Sequence, residues 1–463
     1  MATDPTKGKL LVGDCLETLK TLPDNSIDSI VTDPPYGIEF MGKEWDSFKA
    51  KKDDEQPGTA SGQTKTWCSS ESSGIGIQAP RFGTQTRSDQ LAFQEWYEQV
   101  ARECLRVLKP GGHFLSFGAT RMYHRMAVAI EDAGFEIRDS IHWTYGSGFP
   151  KSLNVSKAFD KKAGLLKTEM GEMRDLESPT ASFRPKNAST YVPPKPKSKA
   201  AKQWDGWGTA LKPSHEPIVV ARKPLDGTVA DNVQQHGTGA INIDATRVGS
   251  ETITITNGKG FAGSFEGGTN DNGDSQHTGR FPANTLLTHN HDCDTTCTPS
   301  CPIELLDQQQ EEVSRFFHNS QWSQVDDLTP FIYQAKPGKK ERNAGLEQLP
   351  EVVITGRDGG QDAMAVPHKT RSNPAQNFHP TVKPVELMRY LIKMVTPPNG
   401  VVLDPFLGSG TTAVAATLEG YAWKGCELTA DYLPIIKGRV TWAVAEKKKQ
   451  DKKAKQLTLE EQQ

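Results

Sequence analysis

Asp33-Pro34-Pro35-Tyr36 sets a carboxylate, two ring-locked residues and an aromatic side chain in a row. The prolines hold the backbone extended and remove two amide donors, which leaves carbonyls free to accept. Asp33 and a neighbouring carbonyl can then both accept from one amino group, while Tyr36 offers a ring to stack on. That combination suits a planar base bearing an exocyclic amine; the plainer alternative is a rigid turn with a packed tyrosine. A second stretch, Asp404-Pro405-Phe406-Leu407-Gly408-Ser409-Gly410-Thr411-Thr412, reads as a glycine turn opening a helix, where backbone can approach a ligand closely. Gly408-x-Gly410-x-x-Ala413 also fits a relaxed dinucleotide fingerprint. Glu427, 19 residues after Gly408, falls where an acid would hold ribose hydroxyls. By themselves these residues mark a nucleoside-cofactor site, and a nicotinamide cofactor stays open.

Three further groups carry chemistry. In Gly13-Asp14-Cys15, Asp14 can accept from an adenine amino group or cap the helix that follows. In His379-Pro380-Thr381-Val382-Lys383-Pro384, prolines stiffen the chain around Thr381 and Lys383, so the lysine either meets a carboxylate or marks an exposed helix entry. His289, His291, Cys293, Cys297 and Cys301 fall within 13 residues, among Asp292, Asp294, Pro299 and Pro302, hence in a loop. Imidazoles and thiolates so spaced suit a tetrahedral structural zinc ion; simple reduced thiols are the other reading.

The elements that must position these residues follow from apolar patterning. Lys9–Val12 and Ile27–Thr32 read as strands and Cys15–Thr21 as a helix. Phe93–Leu108 has helical periodicity and stops at Lys109-Pro110-Gly111-Gly112, a turn signal. His113–Phe117 and Phe135–Trp143 read as strands around a helix at Met122–Ala133. After residue 379 the same texture returns: helix Glu386–Val395, strand Val401–Leu403, helix Gly410–Glu419, strand Ala422–Cys426. This rhythm predicts an α/β fold with a mainly parallel sheet. The Asp14, Asp33 and Asp404 motifs then sit at strand ends, where ligands bind in such sheets. Residues 49–90 are polar and rich in Gly and Ser, and read as a long loop. Residues 151–378 show little regular pattern. Domain halves at 1–150 and 379–445 are therefore expected, with 151–378 inserted and a charged tail at 446–463.

Asp33–Tyr36, the proline-flanked Lys383 and Phe406-x-Gly408-x-Gly410, in that order, resemble the β-class DNA amino-methyltransferases, including phage and prophage members. The resemblance implies a circularly permuted Rossmann-like domain with a mainly parallel, seven-stranded sheet and an inserted target-recognition region. It implies methyl transfer from S-adenosyl-L-methionine to N6 of adenine in double-stranded DNA, with base flipping. N4 of cytosine is the alternative, and Asp at the first motif position leans toward adenine. By the same resemblance, Asp33 and the Pro34 carbonyl accept from the target amine and Tyr36 stacks on the extruded base. Phe406, Gly408 and Gly410 wrap the cofactor, Glu427 binds its ribose and Asp14 its adenine, and His379 to Lys383 close over its methionine end.

Composition sets the outer bounds. The chain has 463 residues, 54 Lys+Arg against 57 Asp+Glu, and 7 cysteines. No run approaches the roughly 18 apolar residues of a membrane span. The N-terminus lacks a basic-then-apolar leader, and so few cysteines exclude a disulfide scaffold; a cytoplasmic location, in a bacterial cell or a phage-infected host, is expected. From Lys151 to Lys223 there are 15 Lys+Arg against 7 Asp+Glu. There Lys151, Lys195 and Lys197, with Trp204 and Trp207, suit phosphate and base contacts, against the alternative of a solvated linker. Double-stranded DNA is the expected partner, and a homodimer is compatible with the sequence. The competing classes are a non-catalytic DNA-binding protein of the same fold and a nicotinamide-dependent oxidoreductase.

Overall fold

The structure, a computed structural model, describes residues 8–38, 46–48, 86–145, 152–165, 173–174, 190–191, 195–255, 275–288, 301–309, 313–320, 337, 339–353 and 374–461. One sheet organises it. Its strands are β1 (Lys9–Val12), β2 (Ile27–Thr32), β3 (Leu108–Phe117), β4 (Glu136–Thr144), β5 (His215–Arg222), β6 (Thr285–Thr288), β7 (His318–Ser320), β8 (Val401–Asp404) and β9 (Ala422–Glu427). The helices are α1 (Cys15–Lys20), α2 (Arg87–Val107), α3 (Tyr123–Asp132), α4 (Val155–Lys162), α5 (Lys199–Gln203), α6 (Val229–His236), α7 (Pro302–Gln309), α8 (Lys339–Asn343), α9 (Val385–Val395), α10 (Thr411–Glu419) and α11 (Leu433–Glu461).

The strands pair in the order β1-β9-β8-β2-β3-β5-β4-β6-β7. All pairings are parallel except those of β5, which is antiparallel to β3 and to β4. Successive residues of each central strand serve opposite faces, as a pleated strand requires. Ile30, Phe114 and Leu403 enter one core with α1, α2 and α3. Val31, Leu115 and Val402 enter the other with α9, α10 and α11. The sheet is thus covered on both sides, which is why its strands read as continuous apolar runs.

Five expectations need correction. The sheet has nine strands, not seven, because β6 and β7 extend it beyond β4. The 151–378 region does not stand apart from the sheet: β5, β6 and β7 all come from it. The 49–90 stretch ends earlier than expected, since α2 starts at Arg87 on a capping box in which Thr86 and Asp89 satisfy each other's amides. Lys109–Gly112 makes no separate turn. α2 passes directly into β3, and Gly111, at φ 75°, donates its N–H to the carbonyls of Lys223 and Pro224. The tail is not a separate unit either, for α11 continues through the basic run to Glu461. No described helix is long and apolar enough to cross a membrane.

Candidate active site

The C-terminal ends of β1, β2, β8 and β9 open on a cavity of about 290 Å³. Its wall includes Asp14, Cys15, Asp33, Pro34, Pro35, His379, Thr381, Lys383, Asp404, Pro405, Phe406, Gly408, Ser409, Thr411, Thr412 and Glu427. Every expected cofactor residue except Gly410 lines it. Gly410 instead caps α10 at φ 81°, packed against Ile436.

The glycine turn is held by Asp404 and Glu427, which the sequence singled out, and by Arg439, which it did not. Asp404 accepts from the Thr32 hydroxyl (2.5 Å), the Thr412 hydroxyl (2.5 Å) and the Phe406 amide (2.9 Å). Burial nevertheless pushes its carboxyl up to about 6. Glu427 accepts from the amides of Gly408 (2.7 Å) and Thr429 (2.8 Å), so it shapes the turn as well as facing the cavity. Arg439 of α11, fully buried, donates to the carbonyl and hydroxyl of Ser409 and to the Thr411 hydroxyl. Asp14 combines its two readings: it caps α1 through the Leu16 amide (2.8 Å) and lines the cavity. Aromatic rings line the cavity too, with Phe48 4.7 Å and Phe406 5.7 Å from Trp96 between ring centroids. Burial and the nearby Arg342, Lys383 and Arg439 lower His379 to about 3, so this imidazole is neutral at physiological pH.

A second cavity of about 210 Å³ adjoins the first, and Asp33, Pro34, Thr381 and Lys383 line both. Tyr36, Trp143, Tyr145 and Glu216 line the second. At the shared wall, Lys383 Nζ lies 2.6 Å from Asp33, 3.3 Å from Glu216 and 3.1 Å from the Tyr36 hydroxyl. The Tyr36 hydroxyl lies 2.8 Å from Asp33 and 3.0 Å from Glu216. These side chains are nearly out of water: Lys383 is 8%, Asp33 16% and Glu216 14% exposed. Burial pushes Asp33 up, with Glu216 adding and Lys383 opposing. Burial alone would lower Lys383, but Asp33 and Glu216 outweigh it and hold the ammonium charged. Pro384 cannot cap α9, so Glu341 of α8 accepts the Val385 amide at 2.8 Å and fixes the segment that carries Lys383.

Glu216 was missed by sequence reasoning. It opens β5, and only because β5 is antiparallel does its first turn of chain reach the C-terminal ends of its parallel neighbours; it pairs there with Trp143. Nothing local in His215-Glu216-Pro217 signals a site.

The profile of the DNA methylase (N6/N4 methyltransferase) family matches residues 27–438. The chain belongs to that family. The methylase is 28% identical over 406 residues to the type II methyltransferase M.HindIII of Haemophilus influenzae, spanning 87% of this chain and 85% of that protein. It is also 28% identical over 141 residues to M.HinfI of Haemophilus influenzae, 30% of this chain and 32% of that one. Among solved structures, the cytosine-N4-specific PvuII DNA methyltransferase aligns over 94% of this chain and 89% of that one, at 13% identity and a TM-score of 0.41.

Of the other expected residues, those that are described lie away from both cavities. Lys195 and Lys197 are exposed beside α4 and α5, two packed helices joined where Asp160 accepts the amides of Lys197 and Ser198 at 2.8 Å. Trp204 and Trp207 stand on the same unit as an edge-to-face pair at 5.0 Å. Lys151, His289, His291, Cys293 and Cys297 lie outside the described residues. Cys301 is buried with Leu287 and Ile303. Among the described residues no cluster of three or more His, Cys, Asp and Glu could hold a metal ion.

Proposed function

We propose that this DNA methylase transfers the methyl group of S-adenosyl-L-methionine to N6 of an adenine flipped out of double-stranded DNA. One observation carries the reading: two adjoining cavities share a wall made of Asp33, Pro34, Thr381 and Lys383. A cofactor in one and a base in the other would meet across the Asp-Pro-Pro-Tyr motif.

The first cavity fits that cofactor. Its aromatic wall suits a purine, and the acids Asp14 and Glu427 suit an amino group and ribose hydroxyls. Bound, the cofactor supplies an electrophilic methyl group on a sulfonium. The chain does the positioning. An aromatic amine is a weak nucleophile because its lone pair is delocalised into the ring. Asp33 and the Pro34 carbonyl, as two acceptors for its hydrogens, pyramidalise the nitrogen and aim the lone pair, so orientation and electrostatics supply most of the rate. Tyr36, Trp143 and Tyr145 give the second cavity the stacking surface that a flipped base needs. The α4–α5 unit, with Lys195, Lys197, Trp204 and Trp207, together with Lys151, is assigned to DNA contact within a recognition region at 151–378. A structural zinc ion at His289 or His291 with Cys293, Cys297 and Cys301 completes the proposal.

Adenine is favoured by the aspartate that opens the motif. The test is nucleoside analysis of duplex DNA after incubation with the protein and labelled S-adenosyl-L-methionine. N6-methyladenine is the expected product. N4-methylcytosine alone would overturn the base assignment, and no transfer, with the cofactor bound, would leave a DNA-binding protein. Tight binding of a nicotinamide dinucleotide without binding of S-adenosyl-L-methionine would sink the cofactor assignment.

A further inference from the structure

The resting hydrogen bonds at the shared wall engage both oxygens of Asp33. Its Oδ2 faces Lys383 at 2.6 Å and its Oδ1 accepts the Tyr36 hydroxyl at 2.8 Å. An ammonium has three N–H groups and no acceptor. Those of Lys383 have three partners in reach: Asp33, Glu216 and the Tyr36 oxygen. A phenol has one proton, and that of Tyr36 lies between Asp33 at 2.8 Å and Glu216 at 3.0 Å. A target amine reaching Asp33 would therefore have to share an oxygen with a hydrogen bond already in place, which weakens that oxygen as an acceptor, whereas release of Tyr36 gives it Oδ1 unshared. The only other carboxylate within reach of both Tyr36 and Lys383 among the described residues is Glu216, through the single atom Oε2.

From this we infer that Glu216 is a positioning residue, the alternative acceptor that takes the Tyr36 hydroxyl from Oδ1 and draws Lys383 from Oδ2, so that Asp33 is freed for the target amino group. The exchange needs only rotation of one hydroxyl and a small swing of one ammonium. It costs little in a site of low polarity because every donor keeps a charged acceptor. Tyr145 steadies the receiving group, its hydroxyl 3.4 Å from Glu216 Oε1. The centre also carries two carboxylates against one ammonium, an excess of negative charge suited to the positive charge that grows on the amine as it is methylated.

The inference rests on the proposed role of Asp33, so the experiment separates the two. Wild-type protein and Asp33→Ala are assayed first, with labelled cofactor and duplex DNA; equal activity would overturn the role of Asp33 itself. Glu216→Gln is then compared across pH. Its kcat is expected to fall about 10- to 100-fold, less than removal of a group touching the reacting centre, with cofactor affinity unchanged. The acid limb of its kcat profile should move to lower pH. Asp33 is a strong acceptor with both oxygens only when ionised, and removing the Glu216 charge both lifts a repulsion from it and leaves Lys383 wholly to it. The groups around Asp33 that share in this titration are Lys383, Glu216, Tyr36, Tyr145 and Asp404, with Asp46, His215 and Arg342 lining the same cavity. Glu216→Asp keeps the charge but withdraws it from Tyr36 and Lys383, so kcat should fall while the acid limb stays in place. In a Lys383→Met, Tyr36→Phe background, Glu216→Gln should have almost no further effect. A wild-type kcat in either Glu216 variant would overturn the inference, as would an unmoved acid limb in Glu216→Gln or a full effect in the double-variant background.

Discussion

The two halves of the active site are built by different means. Around the larger cavity, much of the binding surface is one short run of chain, Asp404 to Thr412, bent by glycines and pinned by neighbours such as Glu427 and Arg439. At the shared wall, Asp33, Tyr36, Glu216 and Lys383 come from three segments up to 350 positions apart and touch only through charged and polar side chains. The first half is backbone shape, and a substitution there should change how tightly the cofactor binds. The second is a network of interdependent side chains, and a substitution there should change the rate.

The sharpest way to break that division is Asp33→Ala. It removes an acceptor for the reacting amine and leaves the glycine turn untouched, so turnover should fall by at least ~10²-fold with cofactor affinity nearly unchanged. Calorimetric titration beside the transfer assay checks both halves, and a large loss of cofactor affinity would contradict the division. Tyr36→Ala comes next. Loss of stacking should weaken capture of the base by about 1–3 kcal/mol, and more on matched duplexes than on duplexes with a mismatched target, which is already easier to extrude. Equal losses on both substrates would remove Tyr36 from base capture.

On the cofactor side, Gly408→Ala should raise the cofactor Kd about tenfold, the equivalent of 1.4 kcal/mol, with the rate at saturation little changed. Gly408 sits at φ 55°, and an added Cβ would fall 2.8 Å from Nε2 of His379, a buried ring packed edge-on against Tyr432. Asp404 gives a quieter effect on the same side. Its carboxyl titrates at about 6 against the ordinary 3.8, so between these values the native protein holds a proton that the unfolded chain has lost. Stability from this group is therefore full below about pH 4 and is lost as pH rises through 6. Asp404→Asn should flatten that slope, which urea unfolding at several pH values would show; an unchanged slope would place the titration elsewhere.

The same contrast explains what the sequence made legible. The glycine turn, Asp14, Glu427 and the Asp-Pro-Pro-Tyr run could be read because each is contiguous with a strand end, and strand ends are visible as apolar runs. That Lys383 would meet a carboxylate was an open alternative, and Asp33 proved to be the partner. Glu216 was counted only as one of a few acids in a basic stretch. Its role depends on β5 being antiparallel and lying between β3 and β4, a pairing across about 100 residues that no local pattern records. Arg439, Glu341 and Trp96 were missed for a related reason. They support the site from α11, α8 and α2, and no local pattern records what a helix meets across the fold.

The His289–Cys301 run is the remaining contiguous motif, and it tests whether contiguity is a fair guide. If His289 or His291 joins Cys293, Cys297 and Cys301 around zinc, four protein ligands leave no open position, so the ion is structural. Its removal should then weaken DNA binding while leaving S-adenosyl-L-methionine binding intact, since these residues stand far in sequence from the motifs assigned to the cofactor and the amine. Affinity for the ion should fall on acidification, because thiols must lose protons to bind it. Cys301 adds a constraint: it is buried beside Leu287 at the end of β6 and before α7. Binding there would tie the edge of the sheet to the recognition region, and metal removal should lower protection of the β6 amides from hydrogen exchange more than those of β8. Elemental analysis of protein purified without added metal decides the matter. Less than ~0.2 zinc per chain, for a site of the affinity structural zinc usually shows, would return these residues to ordinary reduced thiols and limit contiguity as a guide to the cofactor loop and the amine-binding motif.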